Sequence, residues 1–283
     1  MNQRVSGKLR APLRSLSPKL IFLFDVGGVL IEGRREIFQS PRFKEIIRKG
    51  VRNGIIFGLN TNRPWSEAKC VYKDLGLNGL IIAENGAYYK IHKNLPRQIM
   101  LGASKITNKV IAAIRKFLKE NKGEQFCFKI TDNKTWLQKN QFRVIILMTK
   151  SREFTASIYL RKKKKINRHL FSKLYFGLKK YFNQKHRSRI IIQPIGQQGK
   201  IHVFYRTINR LSTARLLKER FFQSYKMIII SDDESASHRD QQTLTFASVK
   251  NGHRQYKKYC AYVARKRSAS GLCEIVQHFI KIL

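Results

Sequence analysis

The sequence predicts an α/β protein: a parallel β-sheet core into which a smaller α+β domain is inserted. Two observations predict this organisation. Before residue 90 and after residue 203, short apolar runs alternate with helical segments, which is the pattern of βαβ units and a parallel sheet. Between those positions helices and strands follow one another without that alternation. The predicted regions are a basic tail over 1–19, a core over 20–89 and 204–283, and an inserted cap over 90–203.

The first predicted strand ends in a carboxylate. The apolar run Leu20–Phe24 is followed by Asp25 and then by the glycine-rich segment 26–30. In an open α/β sheet, ligands bind in the crevice outside the carboxyl ends of the strands. Glycines at such a turn let backbone N–H groups close on an anion, commonly a phosphate. A solvated turn aspartate after a buried strand is the alternative interpretation.

The next elements repeat the alternation of helix and strand. They are a helix over 43–50 that ends in glycine, a strand over 55–59 followed by Asn60-Thr61-Asn62-Arg63-Pro64, a helix over 65–75 closed by Gly76, and a strand over 80–83 followed by Glu84-Asn85-Gly86-Ala87. Each polar group therefore follows a buried strand, where a parallel sheet places its ligand-binding edge.

The middle of the chain is predicted to contain two helices and about four strands. The helices are expected over 104–118 and 168–182, and the strands over 126–130, 142–148, 190–192 and 201–204, the last two forming a hairpin around Gly196 and Gly199. The charge run Arg161–Lys165 is expected in a loop or at a helix start facing water.

The βα pattern then resumes. A helix is predicted over 212–222, a strand over 227–230 with the acidic end Ser231-Asp232-Asp233-Glu234, strands over 246–249 and 261–263, and a terminal helix from Gly271. This return of the pattern completes the core.

Three strand ends carry Asp25, Thr61 and Asp232. Parallel-sheet geometry would bring all three to one edge. A carboxylate nucleophile can accept a phosphoryl group as an aspartyl-phosphate, a hydroxyl and backbone N–H groups can hold the phosphoryl oxygens, and a second carboxylate can hold Mg²⁺. Alternatively, Thr61 would only cap the next helix, and 232–234 would be an acidic helix start.

The chain resembles the haloacid dehalogenase (HAD) superfamily, in the Cof-type and sucrose-phosphate-phosphatase-like group that has a large α+β cap. Residues 24–30 resemble the first motif, Asp-x-Asp-Gly-Thr/Val-Leu, and 59–64 resemble the second, Thr-Gly-Arg-Pro. Glu84-Asn85-Gly86-Ala87 matches the sequence that precedes the cap in this group, and 228–236 resemble the fourth motif. The resemblance spans nearly the whole chain from Leu20 and implies a HAD-like Rossmannoid core.

The resemblance also implies roles for individual residues. Asp25 would be the catalytic nucleophile. The implied phosphate-binding residues are Gly28, Thr61, Asn62 and Arg210. The implied Mg²⁺ ligands are Asp25, Gly27 through its carbonyl, and Asp232, with Asp233 and Glu234 as further carboxylates near the metal.

The chain departs from the family pattern at three places. Gly27 stands where family members have the second aspartate, which acts as general acid and base. Our alignment places Leu211 at the lysine of the third motif, with Arg210 next to it, although a guanidinium is not interchangeable with an ammonium at a tight site. Ser235 and Ala236 replace the Asn-Asp pair of the fourth motif.

The composition is strongly basic. The chain has 58 Lys and Arg against 17 Asp and Glu, a net charge of +41, which attracts polyanions such as RNA, a ribonucleoprotein or a phosphorylated small molecule. A lysine-rich surface without any partner is the alternative.

Compartment and membrane relations follow from other patterns. The four cysteines show no metal-binding spacing, which favours a reducing compartment, and no apolar stretch predicts a transmembrane segment. We expect a cytoplasmic protein. The basic residues 1–19 also resemble an organellar transit peptide, which would place the protein in an organelle.

Two functions are therefore predicted as alternatives. One is Mg²⁺-dependent phosphomonoester hydrolysis through an aspartyl-phosphate on Asp25. The other is a catalytically silent HAD fold whose basic surface binds RNA or a ribonucleoprotein. The intact Asp25 favours the first alternative, whereas the three departures and the charge favour the second.

Overall fold

A computed structural model describes residues 19–32, 35–36, 40–92, 94–122, 125–133, 144–162, 165–186, 189–232 and 238–281. Its larger sheet has the strand order β15-β14-β13-β1-β4-β5-β6-β7. These strands are β1 Lys19–Phe24, β4 Ile56–Asn60, β5 Ile81–Ala83, β6 Tyr88–Lys90, β7 Gln98–Ile99, β13 Tyr225–Ser231, β14 Thr245–Ser248 and β15 Tyr262–Val263. Ile31–Glu32 (β2) and Arg35–Glu36 (β3) form a separate short hairpin.

The strands from β15 to β5 run parallel, and β6 and β7 extend the sheet antiparallel at one edge. The central strand β1 is buried from Leu20 to Phe24 because it has neighbours on both edges and helices on both faces. This explains its continuous apolar run.

Helices cover the two faces of this sheet. One face carries α1 Pro41–Arg52, α2 Trp65–Asp74 and α8 Ser268–Lys281, and the other carries α5 Arg210–Phe221 and the short α7 Arg254–Lys257. Another short helix, α6, spans His238–Gln241. On the first face Phe22 stacks on Phe57 with ring centroids 5.5 Å apart. The predicted α/β core is confirmed as a doubly wound sheet.

The second sheet has five strands in the order β11-β12-β10-β9-β8 among the residues that are described. They are β8 Phe126–Ile130, β9 Val144–Met148, β10 Thr155–Lys162, β11 Ile190–Ile195 and β12 Lys200–Tyr205. Helices α3 Thr107–Glu120 and α4 Arg168–His186 pack with this sheet around one apolar cluster. The inserted α+β cap and its hairpin are confirmed.

Strand β10 was missed by the sequence prediction. Arg161 and Lys162, placed in a loop or helix start, are the last residues of this strand, so the prediction is wrong there. Arg161 Nη1 donates to the carbonyls of Leu160 (2.9 Å) and Gly199 (3.2 Å), which explains how a charged residue fits into the strand. Lys163 and Lys164 lie outside the described residues.

Helix α1 continues two residues past Gly50, so the predicted glycine stop is also wrong. A Cβ at Gly50 would lie 2.5 Å from the Phe57 ring. The glycine is therefore explained by the close packing of α1 on β4.

The domain boundaries stay predictions. Strand pairing assigns Gln98–Ile99, within the predicted cap, to the larger sheet, and Tyr205, just past it, to the cap sheet. Within the described part of the chain, no helix is long and apolar enough to cross a membrane.

Candidate active site

Three predicted site residues follow three neighbouring strands and lie at one edge of the larger sheet. Asp25 follows β1, Thr61 follows β4 and Asp232 follows β13, and these strands are adjacent in the order β13-β1-β4. The Asp25 N–H donates to the Ile230 carbonyl at 2.8 Å, and the Thr61 N–H donates to the Ile82 carbonyl at 2.9 Å. The ladder thus continues to both residues and fixes their backbones.

Asp25 is largely buried and both of its carboxylate oxygens accept hydrogen bonds. Oδ1 accepts from the Val26 N–H at 2.6 Å, and Oδ2 accepts from Arg210 Nη1 at 2.6 Å. Arg210 Nη1 also lies 3.4 Å from the Asn60 carbonyl. A guanidinium, which stays charged at any physiological pH, therefore faces the candidate nucleophile.

The position of Arg210 is set by the start of α5. Asn209 is the N-cap, and its Oδ1 accepts from the N–H groups of Leu211 (2.8 Å) and Ser212 (3.2 Å). Leu211 is 1% exposed and packs in an apolar cluster. Aligning Leu211 with the family's lysine was therefore wrong, because successive residues of a helix point in different directions and only Arg210 reaches Asp25.

Asp25 and the glycine turn after it, residues 26–30, form what we call the nucleophile loop, and Asp232 packs against this loop. Gly28 has φ +70°, and a Cβ there would lie 1.7 Å from Asp232 Oδ2. Only glycine fits this close approach. The Gly28 N–H donates to the Ile31 carbonyl at 2.8 Å. The observed role of Gly28 is therefore to admit Asp232, since its N–H, which we expected to bind phosphate, already has an acceptor.

Gly27 has different surroundings from its neighbour. A Cβ at Gly27 would meet no atom within 4 Å, so a side chain could be accommodated. The position where family members have the second aspartate is therefore open space in this chain. The chain lacks the carboxylate but keeps room for one.

Asn251 was not predicted as a site residue. Its Nδ2 donates to the Gly28 carbonyl at 2.8 Å, and its Oδ1 accepts from the Ser268 N–H at 2.9 Å. The His253 N–H donates to the Asp232 carbonyl. The loop after β14 thus supports both the glycine turn and Asp232. The signal that could have found Asn251 is the same strand-end rule that found Asp25.

Thr61 is 1% exposed, and its Oγ1 accepts from the Arg63 N–H at 3.3 Å. The N-cap of α2 is Pro64. Thr61 therefore does not cap that helix, which removes the alternative interpretation of this hydroxyl.

Asn62 reaches the cap rather than the sheet edge. Its Nδ2 lies 3.1 Å from His202 Nδ1, and its carbonyl accepts from Arg152 Nη1 at 2.7 Å. The role of Asn62 in binding phosphate stays a prediction, and in this structure the side-chain amide is turned to the cap. Asn62, the residue directly after Thr61, thus joins the sheet edge to the cap.

Glu84 is the second part of this core–cap joint, which we define as Asn62, Glu84, Arg152 and His202. Glu84 is 1% exposed, and its Oε2 accepts from the N–H groups of Glu153 (3.1 Å) and Phe154 (2.9 Å) in the cap. Burial raises the pKa of Glu84 above its usual value. Its φ of +46° is an uncommon backbone conformation, held here by these contacts.

Arg152 and His202 complete the joint from the cap side. Burial lowers the pKa of Arg152, and burial followed by the charges of Lys200 and Arg152 lowers the pKa of His202 well below 6.5. His202 is therefore neutral. Since the Asn62 amide donates to Nδ1, the ring proton lies on Nε2, 3.1 Å from Ser157 Oγ.

The Mg²⁺ ligands implied by the resemblance fit a magnesium site. Asp25 precedes the glycine turn and Asp232 packs against that turn at Gly28, so two carboxylates adjoin one turn. Among the described residues, no group of three or more His, Cys, Asp or Glu could hold a metal ion. Two carboxylates suffice, because Mg²⁺ is usually held by one or two carboxylates plus water and substrate phosphate. Asp233 and Glu234 lie outside the described residues.

Known proteins with similar sequence or structure identify the family and the fold. A family model for haloacid dehalogenase-like hydrolases matches residues 22–198. A Metamycoplasma hominis protein named "Putative phosphatase in upp 3'region" is 34% identical over 70 residues, which is 25% of each chain.

Solved structures resemble nearly the whole chain. A haloacid dehalogenase-like hydrolase from Bacteroides thetaiotaomicron has a TM-score of 0.64 at 15% identity, covering 92% of this chain and 99% of its own. A haloacid dehalogenase-like hydrolase from B. subtilis has a TM-score of 0.60 at 12% identity, covering 92% and 99%. At these identities the likeness shows the fold.

Proposed function

We propose, from the premise that this chain belongs to the haloacid dehalogenase-like hydrolase family, that it hydrolyses phosphate monoesters through an aspartyl-phosphate on Asp25. One observation carries this proposal: Asp25 is paired with Arg210 at 2.6 Å on the sheet edge where Asp232 packs against the glycine turn. A nucleophile, a phosphate-binding cation and a metal carboxylate are thus next to one another.

The proposed reaction has two displacements at phosphorus. An Asp25 carboxylate oxygen forms a bond to phosphorus while the ester P–O bond breaks, and the leaving alkoxide takes a proton from solvent water. Water then attacks phosphorus and loses a proton to solvent, the bond to Asp25 breaks, and inorganic phosphate leaves with the Asp25 carboxylate restored. Arg210 and the Thr61 hydroxyl would hold the phosphoryl oxygens during both steps.

The proposed metal ligands are Asp25, the Gly27 carbonyl and Asp232. When bound, Mg²⁺ would supply positive charge that offsets the negative charge of the phosphoryl oxygens. The Gly28 turn keeps Asp232 against the nucleophile loop, and Asn251 holds that turn through the Gly28 carbonyl.

Gly27 sets a limit on the substrate. Because this position has no side chain, no residue there can protonate the leaving oxygen. Esters with a good leaving group, such as aryl phosphates, are therefore expected to react faster than alkyl phosphates, since their leaving groups depart without a general acid.

The test is phosphate release from aryl phosphate, sugar phosphates and nucleotides, with Mg²⁺ and after chelation with EDTA. We expect Mg²⁺-dependent release, and a higher Mg²⁺ requirement in Asp232→Asn. Asp240→Asn is the matched control, because Asp240 is a buried aspartate that pairs with Arg215 outside the site. Absence of release on every substrate would refute the proposal.

A second candidate function is the catalytically silent fold that binds RNA or a ribonucleoprotein. The observations that favour it are the absence of a carboxylate at position 27, which is glycine, and the net charge of +41. RNA affinity that falls steeply with salt, together with no hydrolysis, would favour this candidate over the phosphatase.

A further inference from the structure

A set of exposed cations lies beside the candidate site, on the side of the larger sheet away from the cap. We call it the basic rim. It consists of Lys250, Arg254, Lys258, Arg265 and Lys266. The first three follow β14 and the last two follow β15, so the rim lies near the carboxyl-end edge of the sheet that carries Asp25 and Asp232.

Backbone and side-chain contacts fix the rim next to the site. The Lys250 N–H donates to the Lys266 carbonyl at 2.9 Å, which joins the two loops. Asn251 binds the Gly28 carbonyl at 2.8 Å, and the N–H of His253 binds the Asp232 carbonyl. The rim therefore begins one residue from a direct contact with the nucleophile loop.

The rim has almost no neutralising charge in its own sequence. Residues 241–283 contain one acid, Glu274. The same stretch contains eight Lys and Arg: Lys250, Arg254, Lys257, Lys258, Arg265, Lys266, Arg267 and Lys281. Glu274 accepts from the Tyr262 hydroxyl and from the backbone N–H groups of Arg265 and Lys266. The ion pairs found between described residues involve none of the five rim cations.

A surface groove extends the rim. It has a volume of about 680 Å³ and runs from Arg265 and Lys266 past Glu274 and Gln277 to Arg42 at the start of α1. A phosphate monoester of small size would fill the site at Asp25 and leave these cations without anionic partners. Val263 is the exposed large apolar residue here, so the patch lacks the apolar face that membrane insertion needs.

We propose that the basic rim and its groove bind the backbone phosphates of a single-stranded RNA whose terminal phosphate enters the site. This inference rests on the proposed phosphatase function for the terminal phosphate, whereas binding of the strand depends on the rim alone. Each phosphate that a Lys or Arg neutralises releases counterions, and for single strands the slope of log K against log salt is about −0.7 per contact.

The binding test uses fluorescence anisotropy of a 5′-phosphorylated RNA 12-mer with a 3′ label, at several salt concentrations. All proteins carry Asp25→Asn so that the 5′ phosphate is not removed from the RNA during the measurement. The rim variant is Lys250→Gln/Arg254→Gln/Lys258→Gln. The control is Lys119→Gln/Arg168→Gln/Lys173→Gln, which removes three exposed charges from the cap helices.

We expect the rim variant to bind at least about tenfold more weakly and to lose about 2 from the magnitude of the salt slope, since three contacts at about 0.7 each are removed. The cap control should stay within about twofold, because its charges are outside the rim. Equal losses in the two variants would overturn the rim as the binding surface, since only net charge would then matter. Circular dichroism spectra establish that both variants are folded.

The activity test compares wild-type kcat/KM on a 5′-phosphorylated tetranucleotide, a mononucleotide and an aryl phosphate. We expect the tetranucleotide to exceed the mononucleotide about tenfold or more, and the rim variant to lose most of that ratio while the cap control keeps it. Rim-dependent binding without hydrolysis of any phosphate would refute the proposed function and keep the rim. Aryl phosphate hydrolysis with rim-independent RNA binding would refute the rim and keep the function.

Discussion

The candidate site and the core–cap joint lie close together but are built in different ways. The site collects residues that each follow a strand of one sheet, namely Asp25, Thr61 and Asp232. The joint pairs residues that are far apart in sequence, such as Asn62 with His202, 140 positions away. The candidate site residues can therefore be identified from local sequence motifs, whereas the position of the cap on the core depends on contacts between residues far apart in sequence.

The two regions also use buried polar groups differently. In the candidate site the ion pair of Asp25 and Arg210 is about nine-tenths buried, and burial of the pair costs desolvation free energy. In the joint the buried groups shift toward their neutral forms: the pKa of Glu84 rises and that of His202 falls. The site therefore holds an ion pair, whereas burial in the joint favours the neutral forms of Glu84 and His202.

The largest expected effect concerns the missing carboxylate of the site. Gly27→Asp should raise kcat on alkyl phosphates by about 10² to 10⁴, because a general acid then protonates the leaving group. Aryl phosphates should gain much less. The open space at Gly27 makes the substitution sterically acceptable. Steady-state kinetics on both substrates, with Gly27→Ala as control, check this; equal gains on both would contradict a general-acid role.

The joint is tested by removing Glu84. Glu84→Ala leaves the partly buried N–H of Glu153 and the buried N–H of Phe154 without their acceptor, so the free energy of unfolding should fall by about 2–4 kcal/mol. Glu67→Ala, which removes an exposed pair with Arg63, should cost under about 1 kcal/mol. Urea unfolding measures both, and similar losses would show that the joint is no more important than the surface.

The glycine turn of the site offers a matched pair. Gly28→Ala places a Cβ on the Asp232 carboxylate and should lower kcat/KM by about 10²-fold through displacement of that group, with about 1–3 kcal/mol lost in stability. Gly27→Ala has open space and should stay close to wild type in stability. If Gly28→Ala kept full activity, Asp232 would not need its present position.

The smallest effect is a pH dependence from His202. The pKa of His202 in the folded protein lies well below 6.5. Above pH 6.5 the imidazole is therefore neutral in both the folded and the unfolded chain, and its contribution to the free energy of unfolding does not change with pH. Below pH 6.5 the unfolded chain takes up a proton that the folded chain does not. Stability should then fall by up to about 1.4 kcal/mol per pH unit.

The variant His202→Gln isolates this effect. Glu84, whose folded pKa is raised, contributes with the opposite sign as the pH falls toward 4.5. The difference between wild type and His202→Gln removes the Glu84 contribution, and its slope below pH 6.5 should match one proton. A difference that is independent of pH would show that His202 titrates normally in the folded protein.

Most of the fold could be predicted from the sequence because strand and helix periods alternate clearly in the core. Asp25 and Asp232 could be placed for the same reason. Strand β10 could not, since Arg161 and Lys162 suggest a loop until their carbonyl partners in the hairpin are known. A run of charge does not reveal which backbone groups will accept its hydrogen bonds.

The details of the site that could not be predicted depend on the direction in which a side chain points rather than on the identity of the residue. The sequence alone does not show whether Arg210 or Leu211 faces Asp25. The start of α5, which Asn209 caps, determines that Arg210 does. Asn62 looked like a phosphate ligand beside Thr61, but its amide turns to His202, a partner that sequence spacing does not indicate.

The most direct test of the central claim is aryl phosphate hydrolysis by the wild-type chain and by Asp25→Asn. The asparagine keeps the shape and an acceptor for Arg210 but is not a carboxylate nucleophile. We predict Mg²⁺-dependent turnover in the wild type and a loss on the order of 10³-fold or more in the variant, as expected when a nucleophile is removed. Equal rates in two folded proteins, whether high or negligible, would contradict catalysis by Asp25.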